Sequence, residues 1–221
     1  MTGFNNKDLP RLNESNGYNT IGGSYNINKG YNNTLFGKYN FSEGTNNFIA
    51  GYSNSITDTV YGVIILGNNN SSTSDYETLI TGYNNTTSNS GYSFVFGGGN
   101  TFTDCDYGIY GGNGNTVSDG TAIVYGTGIV LSHANGYSLI VGENIKANAI
   151  TYGLIFGNLD TNGTVLYSTI LGKDNSTKEN NSYIKDSASS EISNGNVIIG
   201  KSNIFSCIND YIILGDSNHN V

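Results

Sequence analysis

Glycine recurs along this chain at an almost constant interval, each time closing a short apolar run: Gly23, Gly37, Gly51, Gly67, Gly82, Gly97, Gly112, Gly126, Gly142, Gly157, Gly172, Gly200 and Gly215. Successive members lie 14 to 16 residues apart, except that 28 residues separate Gly172 from Gly200. That interval reads as two periods, with Asp186 standing where a glycine is expected and Ile184 before it. A fixed period over nearly a whole chain marks a repeat architecture, in which each unit packs mainly on its neighbours. One period is too short for a helix, a strand and their turns. It holds two strands of about five residues and two tight turns. The fold expected is all-β: a parallel β-solenoid of about 14 coils, each of 14–16 residues.

Stacking the coils aligns residues in columns. Two before the glycine stand Ile21, Leu35, Ile49, Ile65, Ile80, Val95, Val124, Ile140, Ile155, Ile170, Ile198 and Ile213. β-Branched residues suit a pleated wall, and this column is expected to form the coil core. Three after the glycine stand Asn26, Asn40, Asn54, Asn70, Asn85, Asn100, Asn115, Asn175, Asn203 and Asn218, with Asp160 in the same place, so that stacked amides can bond from coil to coil. A looser column, four to six before the glycine, carries Tyr18, Tyr31, Tyr61, Tyr76, Tyr92, Tyr107, Tyr137, Tyr152, Tyr167 and Tyr211.

The residues beside the core column constrain assembly. Positions three and one before the glycine point to the opposite face of the same strand. They too are apolar: Phe48 and Ala50, Ile64 and Leu66, Phe94 and Phe96, Leu139 and Val141, Leu154 and Phe156, Val197 and Ile199, Ile212 and Leu214. A strand apolar on both faces is buried on both faces. One coil has a single interior, and a stripe this long exceeds the few hundred Å² of apolar patch that a monomer usually exposes. The second face is therefore expected to lie against further copies of the chain. The second strand of each coil, as in Asn70-Ser71-Ser72-Thr73, is mostly Ser and Thr and reads as wet.

Composition narrows the functional classes. There are 31 Gly, 36 Asn and one proline, with a net charge of −8 and nine scattered basic residues. No basic stripe exists for a nucleic acid, and no run approaches the roughly 18 apolar residues of a membrane span. The opening MTGFNNKDLPRLNESNGYN lacks the apolar core of a secretory signal. Residues 1–16 stand outside the repeat and read as an attachment segment, residues 17–221 as the repeat domain. Cys105 and Cys207 stand seven coils apart, roughly 34 Å at about 4.8 Å per coil. That is beyond the reach of a disulfide within one rod.

A strand ending in glycine, a turn residue and a second glycine seven on, as in Ile21-Gly23-Gly30-Leu35-Gly37-Gly44-Ile49-Gly51, resembles the head repeats of trimeric autotransporter adhesins; phage fibre proteins carry similar repeats. The resemblance implies a left-handed parallel β-roll in which three chains pack flat strands around a threefold axis. The strand-plus-glycine half of the motif runs along nearly the whole chain, the second glycine only through the first coils. On that resemblance the expected role is a homotrimeric fibre on a virion surface, of phage type. It would attach through residues 1–16 to a capsid or tail protein. The alternative is the head of a bacterial cell-surface adhesin.

Catalytic signals are sparse. His133 and His219 stand alone, Asp104 and Asp106 flank Cys105 as a solvated edge or, on the lesser reading, a weak cation site, and no P-loop, nucleophile elbow or zinc motif occurs. No enzyme, cofactor or metal is expected; a glycan-cleaving spike would need a carboxylate pair that cannot be nominated here. Tyr61, Tyr76, Tyr92, Tyr107, Tyr137, Tyr152 and Tyr167 could stack on host surface glycans, or simply on one another at the coil corner. The Ser/Thr ranks also allow an ice-binding array, but they hold for about five coils and fail at Val130, Lys146 and Lys178.

Overall fold

The structure is a computed structural model. It describes residues 2–9, 18–58, 60–132 and 138–143, and beyond these only the backbones of strands from residue 146 onward. The chain is an all-β parallel β-solenoid, with no helix among the described residues. It divides into two compact units, Met1–Tyr107 and Gly108–Val221.

In the first unit, the apolar runs form a long-strand wall. Thr20–Ser24, Thr34–Lys38, Phe48–Tyr52, Ile64–Asn68, Leu79–Tyr83 and Phe94–Gly98 pair in that order, all parallel, with glycine facing glycine at every step. A short-strand wall runs Lys7–Asp8, Ile27–Asn28, Phe41–Ser42, Ser55–Thr57, Ser71–Thr73, Thr86–Ser88 and Thr101–Thr103. A third, one-residue ladder joins Tyr31, Thr45, Tyr61, Tyr76 and Gly91. Each coil thus has three hydrogen-bonded sides where the sequence indicated two strands. The third is too short to leave a hydrophobic period.

Between the walls lies a core one side chain thick. Leu35, Ile49, Ile65, Ile80 and Val95 are fully buried on the long wall, and Ile56 and Phe102 on the short one. Alternate residues of the short wall also point inward, so Ser42, Ser72 and Thr87 are buried too. The wet reading of this strand holds for its other face, where Thr57 and Thr73 exchange a 2.9 Å hydroxyl bond.

The Asn column forms a continuous ladder through the interior. Asn54 Oδ1 accepts both the backbone N–H of Asn70 (3.0 Å) and its Nδ2 (3.1 Å), and Asn70 Nδ2 also donates to Gly82 O at 2.9 Å. The same triad links Asn26 to Asn40, Asn40 to Asn54, and Asn70 to Asn85. One amide therefore satisfies a turn N–H of its own coil's successor and a glycine carbonyl that the strand leaves behind. A second Asn ladder, Asn19 to Asn33 to Asn47, runs four residues before the glycine, each Oδ1 accepting the next N–H. It ends where Val63 replaces asparagine, and the buried Nδ2 of Asn47 has no partner.

The repeat begins earlier than its period indicates. Lys7–Asp8 pairs with Ile27–Asn28, Phe4 bridges Ser24, and Asn6 Nδ2 donates to Gly23 O at 2.9 Å. A Cβ on Gly3 would lie 1.7 Å from Gly23 O, so Gly3 and Asn6 occupy the glycine and asparagine columns. Residues 2–9 of the expected attachment segment are thus part of the first coil. The longer spacing to Gly23, 20 residues, breaks the period and hides them.

In the second unit the long wall runs Ile109–Asn113, Ala122–Thr127, Ser138–Glu143, Leu154–Phe156, Thr169–Lys173, Val197–Lys201 and Ile212–Leu214. The short wall runs Thr116–Ser118, Val130–Ser132, Lys146–Ala147, Leu159–Thr161 and Asn175–Thr177. Ala149–Thr151 pairs separately with Thr164–Leu166. One correction arises here. Gly172 faces Gly200 directly, so no Asp186 strand stands between Thr169–Lys173 and Val197–Lys201 in this wall. Ile184 and Asp186 themselves lie outside the described residues. A strand pairs by hydrogen bonding and not by count, so a double-length interval need not be a double coil.

Candidate functional site

Two surfaces carry side chains that the coil interior does not use. The first is the outward face of the long wall. In the first unit, register aligns Phe48, Ile64, Leu79 and Phe94 in one rank, and Phe36, Ala50, Leu66, Thr81 and Phe96 in the other. Their neighbours in the same strands, Ile49, Ile65 and Val95, are fully buried. Outside, Phe36 is 44% exposed, Ile64 41%, Leu66 40% and Phe94 38%, while Phe48, Ala50 and Phe96 are half-buried. The rings make what contacts a single chain allows: Phe36 to Phe48 at 6.3 Å, Phe94 to Phe96 at 5.1 Å. Phe36 also leans over the bare backbone of Gly22.

In the second unit Ile109, Ile123 and Leu139 align in one rank, and Tyr125 and Val141 in the other. Leu139 and Val141 are half-buried, Ile109 and Ile123 exposed. Leu154, Val197 and Ile212 continue the first rank by backbone register, with Thr169 interrupting it; Phe156, Ile199 and Leu214 continue the second. Their side chains, like those of Ile155, Ile170, Ile198 and Ile213 in the inward column, lie outside the described residues. Ile140 is fully buried.

The second surface is the tyrosine corner of the first unit. The loose sequence column resolves into two registers. Tyr31, Tyr61 and Tyr76 belong to the one-residue ladder. Tyr92 and Tyr107 sit one position later, in the left-handed region at φ 51° and 54°. Each donates its N–H to the preceding coil, to Tyr76 O and Gly91 O respectively, and this bond sustains a conformation that tyrosine otherwise avoids. The rings climb the corner: Tyr76 meets Tyr92 edge-on at 5.1 Å, and Tyr92 stacks on Tyr107 at 4.9 Å. Tyr76 reaches along the axis because Gly91 leaves room; a Cβ there would lie 2.3 Å from its ring. Tyr137, Tyr152 and Tyr167 lie outside the described residues.

A further aromatic run was not singled out by the period. Phe4, Tyr25, Tyr39 and Tyr52 succeed one another at 5.7, 5.1 and 5.6 Å, with Lys38 Nζ 4.8 Å over the Tyr39 ring. Its signal, an aromatic one or two residues after the glycine, occurs in only a few coils.

One buried acid interrupts the apolar interior. Asp75 accepts from Ser72 Oγ at 2.6 Å, from Thr87 Oγ1, and from the N–H of Ser90 at 2.8 Å. Burial pushes its carboxyl above the ordinary aspartate range; the hydroxyl and N–H bonds hold it down only in part. A raised folded value means that its contribution to stability is complete in acid and is lost as pH rises through that value. Relative to wild type, Asp75→Asn is therefore expected to be of similar stability in acid and progressively more stable towards neutrality. Thermal midpoints of the two proteins across that range measure the difference.

Among the described residues the remaining candidates form no catalytic constellation. Asp104 is exposed, Asp106 Oδ1 accepts the Gly91 N–H at 2.6 Å, and Cys105 between them is buried with its Sγ 3.1 Å from Thr103 O. Among the described residues no three His, Cys, Asp or Glu side chains gather as a metal site. His133, His219 and Cys207 lie outside the described residues. No family model, curated protein or solved structure matches this chain. The likeness to adhesin heads rests on the repeat itself.

Proposed function

We propose that this chain is the rod of a homotrimeric fibre, of the kind that projects from a virion and above all from a phage. The observation that carries the reading is the outward face of the long wall. Two aligned ranks, apolar but for Thr81, lie open or half-buried beside a fully buried inner column. At about 25 cal/mol per Å², leaving that stripe in water is costly, and a like surface on another copy is the occupant of matching length and period.

The adhesin-like repeat supports three copies and a left-handed roll of about 14 coils. On this reading the rod is non-catalytic and joins a capsid or tail protein through its N-terminal region. Its tyrosine corner faces outward to surface glycans of the host. The same repeat supports a second reading, the head of a bacterial trimeric adhesin; neighbouring genes separate the two, being virion structural genes in one case and an autotransporter anchor in the other.

Substitution of the wall tests the assembly. Ile64→Glu with Leu66→Glu places carboxylates on the open face and leaves the inward Ile65 untouched. Light scattering is expected to give a trimer for wild type and a soluble monomer for this variant. A wild-type chain that is monomeric, or a variant whose mass does not change, would overturn the proposal.

A further inference from the structure

Whatever the tyrosine corner meets must suit its charge as well as its rings. From residue 39 to residue 145 the sequence contains no lysine or arginine. Within the first unit this stretch carries Glu43, which Lys29 pairs at 2.9 Å, the buried Asp75, and Asp58, Glu77, Asp104 and Asp106, for which no ion pair is formed among the described residues. Glu77 stands in the same register as Tyr92 and Tyr107, at φ 48°, and is exposed. Asp106 aligns with Tyr76 and Gly91, and is held by the Gly91 N–H. The corner is therefore a row of rings interleaved with carboxylates. Tyr61 is 51% exposed and Tyr107 67%, so the row is open to a ligand.

Three classes of glycan meet such a surface differently. An acidic polysaccharide is repelled by a field that no nearby lysine or arginine offsets. A neutral one gains only stacking and hydrogen bonds. One with protonated amino groups gains stacking, attraction to the ring faces, and ion pairs with Glu77 and Asp106. Length matters too. Coils rise by about 4.8 Å each, close to the length of one pyranose in an extended chain, so successive coils meet successive sugars.

We propose that the corner formed by Tyr61, Tyr76, Tyr92 and Tyr107, with Glu77 and Asp106, binds a linear polysaccharide bearing free amino groups, such as a deacetylated hexosamine polymer. This names the glycan class for the outer surface of the fibre proposed above, and rests on that reading only for the corner's exposure in the assembly.

The test uses the full chain and four probes in calorimetric titration: glucosamine oligomers, the same oligomers N-acetylated, an anionic hexuronate polymer and polylysine. Glucosamine oligomers are expected to bind at least ten-fold more tightly than the acetylated ones, and the anionic polymer not at all. Tyr92→Ala with Tyr107→Ala leaves the net charge at −8 and is expected to weaken glucosamine binding at least ten-fold while leaving polylysine binding unchanged. Tyr61→Ala, a coil or more away from the ring stack, repeats the test at a site where loss of stacking cannot disturb the fold. Glu77→Gln is expected to flatten the salt dependence.

Absence of glucosamine binding overturns the proposal, as does equal binding of the acetylated oligomers. So does glucosamine binding that survives every tyrosine substitution, which marks unspecific charge attraction. A chain that sediments as a monomer yet binds glucosamine oligomers through the tyrosines contradicts the trimer and supports this site.

Discussion

Gly82→Ala is expected to lower stability by about 4 kcal/mol or more, the range reached when a substitution meets immovable backbone. The new Cβ would lie 1.9 Å from Gly97 O and 2.9 Å from its carbonyl carbon, and the residue sits at φ +113°, where L side chains are strained. The clash is with the next coil's main chain, which cannot move without breaking the ladder above it. Relief requires the wall to open between Leu79–Tyr83 and Phe94–Gly98. Gly114→Ala is the control, at φ +64° with nothing within 4 Å of the added atom. Only the left-handed backbone opposes it, at roughly 1–2 kcal/mol. Denaturant titrations of the two variants separate the steric from the conformational requirement for glycine. Equal losses would mean that turn geometry, and not close stacking, requires glycine in this column.

Asn70→Ala comes second, at about 3–5 kcal/mol. Its side chain is 1% exposed and joins three coils. Truncation leaves Gly82 O, which is partly buried, without its amide donor and the buried Asn85 N–H without its acceptor. Each orphaned group costs about 1–3 kcal/mol. Asn70→Asp keeps the acceptor, yet sets a carboxylate oxygen where Nδ2 donated to Asn54 Oδ1, so it is expected to be no better. Hydrogen exchange localises the effect: amides of Asn70 and Asn85 lose protection first, while those of the coils near Ile21 keep theirs. Uniform loss across the first unit would contradict a ladder whose coils are held pairwise.

The coil was legible in the sequence because three requirements each fall on one position per turn: a glycine for close approach, an aliphatic residue for the interior, an amide for the ladder. Leu35, Ile49 and Ile65 are buried where the column places them, and Asn40, Asn54 and Asn70 bond as stacked amides do. What the period could not carry was anything with variable spacing. Gly3 and Asn6 escaped because the interval to Gly23 is too long, and Gly172 pairs with Gly200 across an interval that looked like two coils. Tyr76 and Tyr92 looked like one column and occupy two registers, since only backbone hydrogen bonds distinguish a residue that pairs from a neighbour at positive φ. Asp75 carried no mark at all: Gly44, Val60, Asp75 and Ser90 share one position, and of the two hydroxyls that receive the acid one comes from Ser72 of its own coil and the other from Thr87 of the next.

The apolar pattern of the long wall was equally plain, and the proposed assembly rests on it. Sedimentation equilibrium of the whole chain in dilute buffer tests that most directly. Three times the 23.5 kDa chain mass is the result expected of a wall closed by two further copies. A single chain mass, with Phe36, Ile64 and Leu66 open to water and the protein still soluble, would contradict the account.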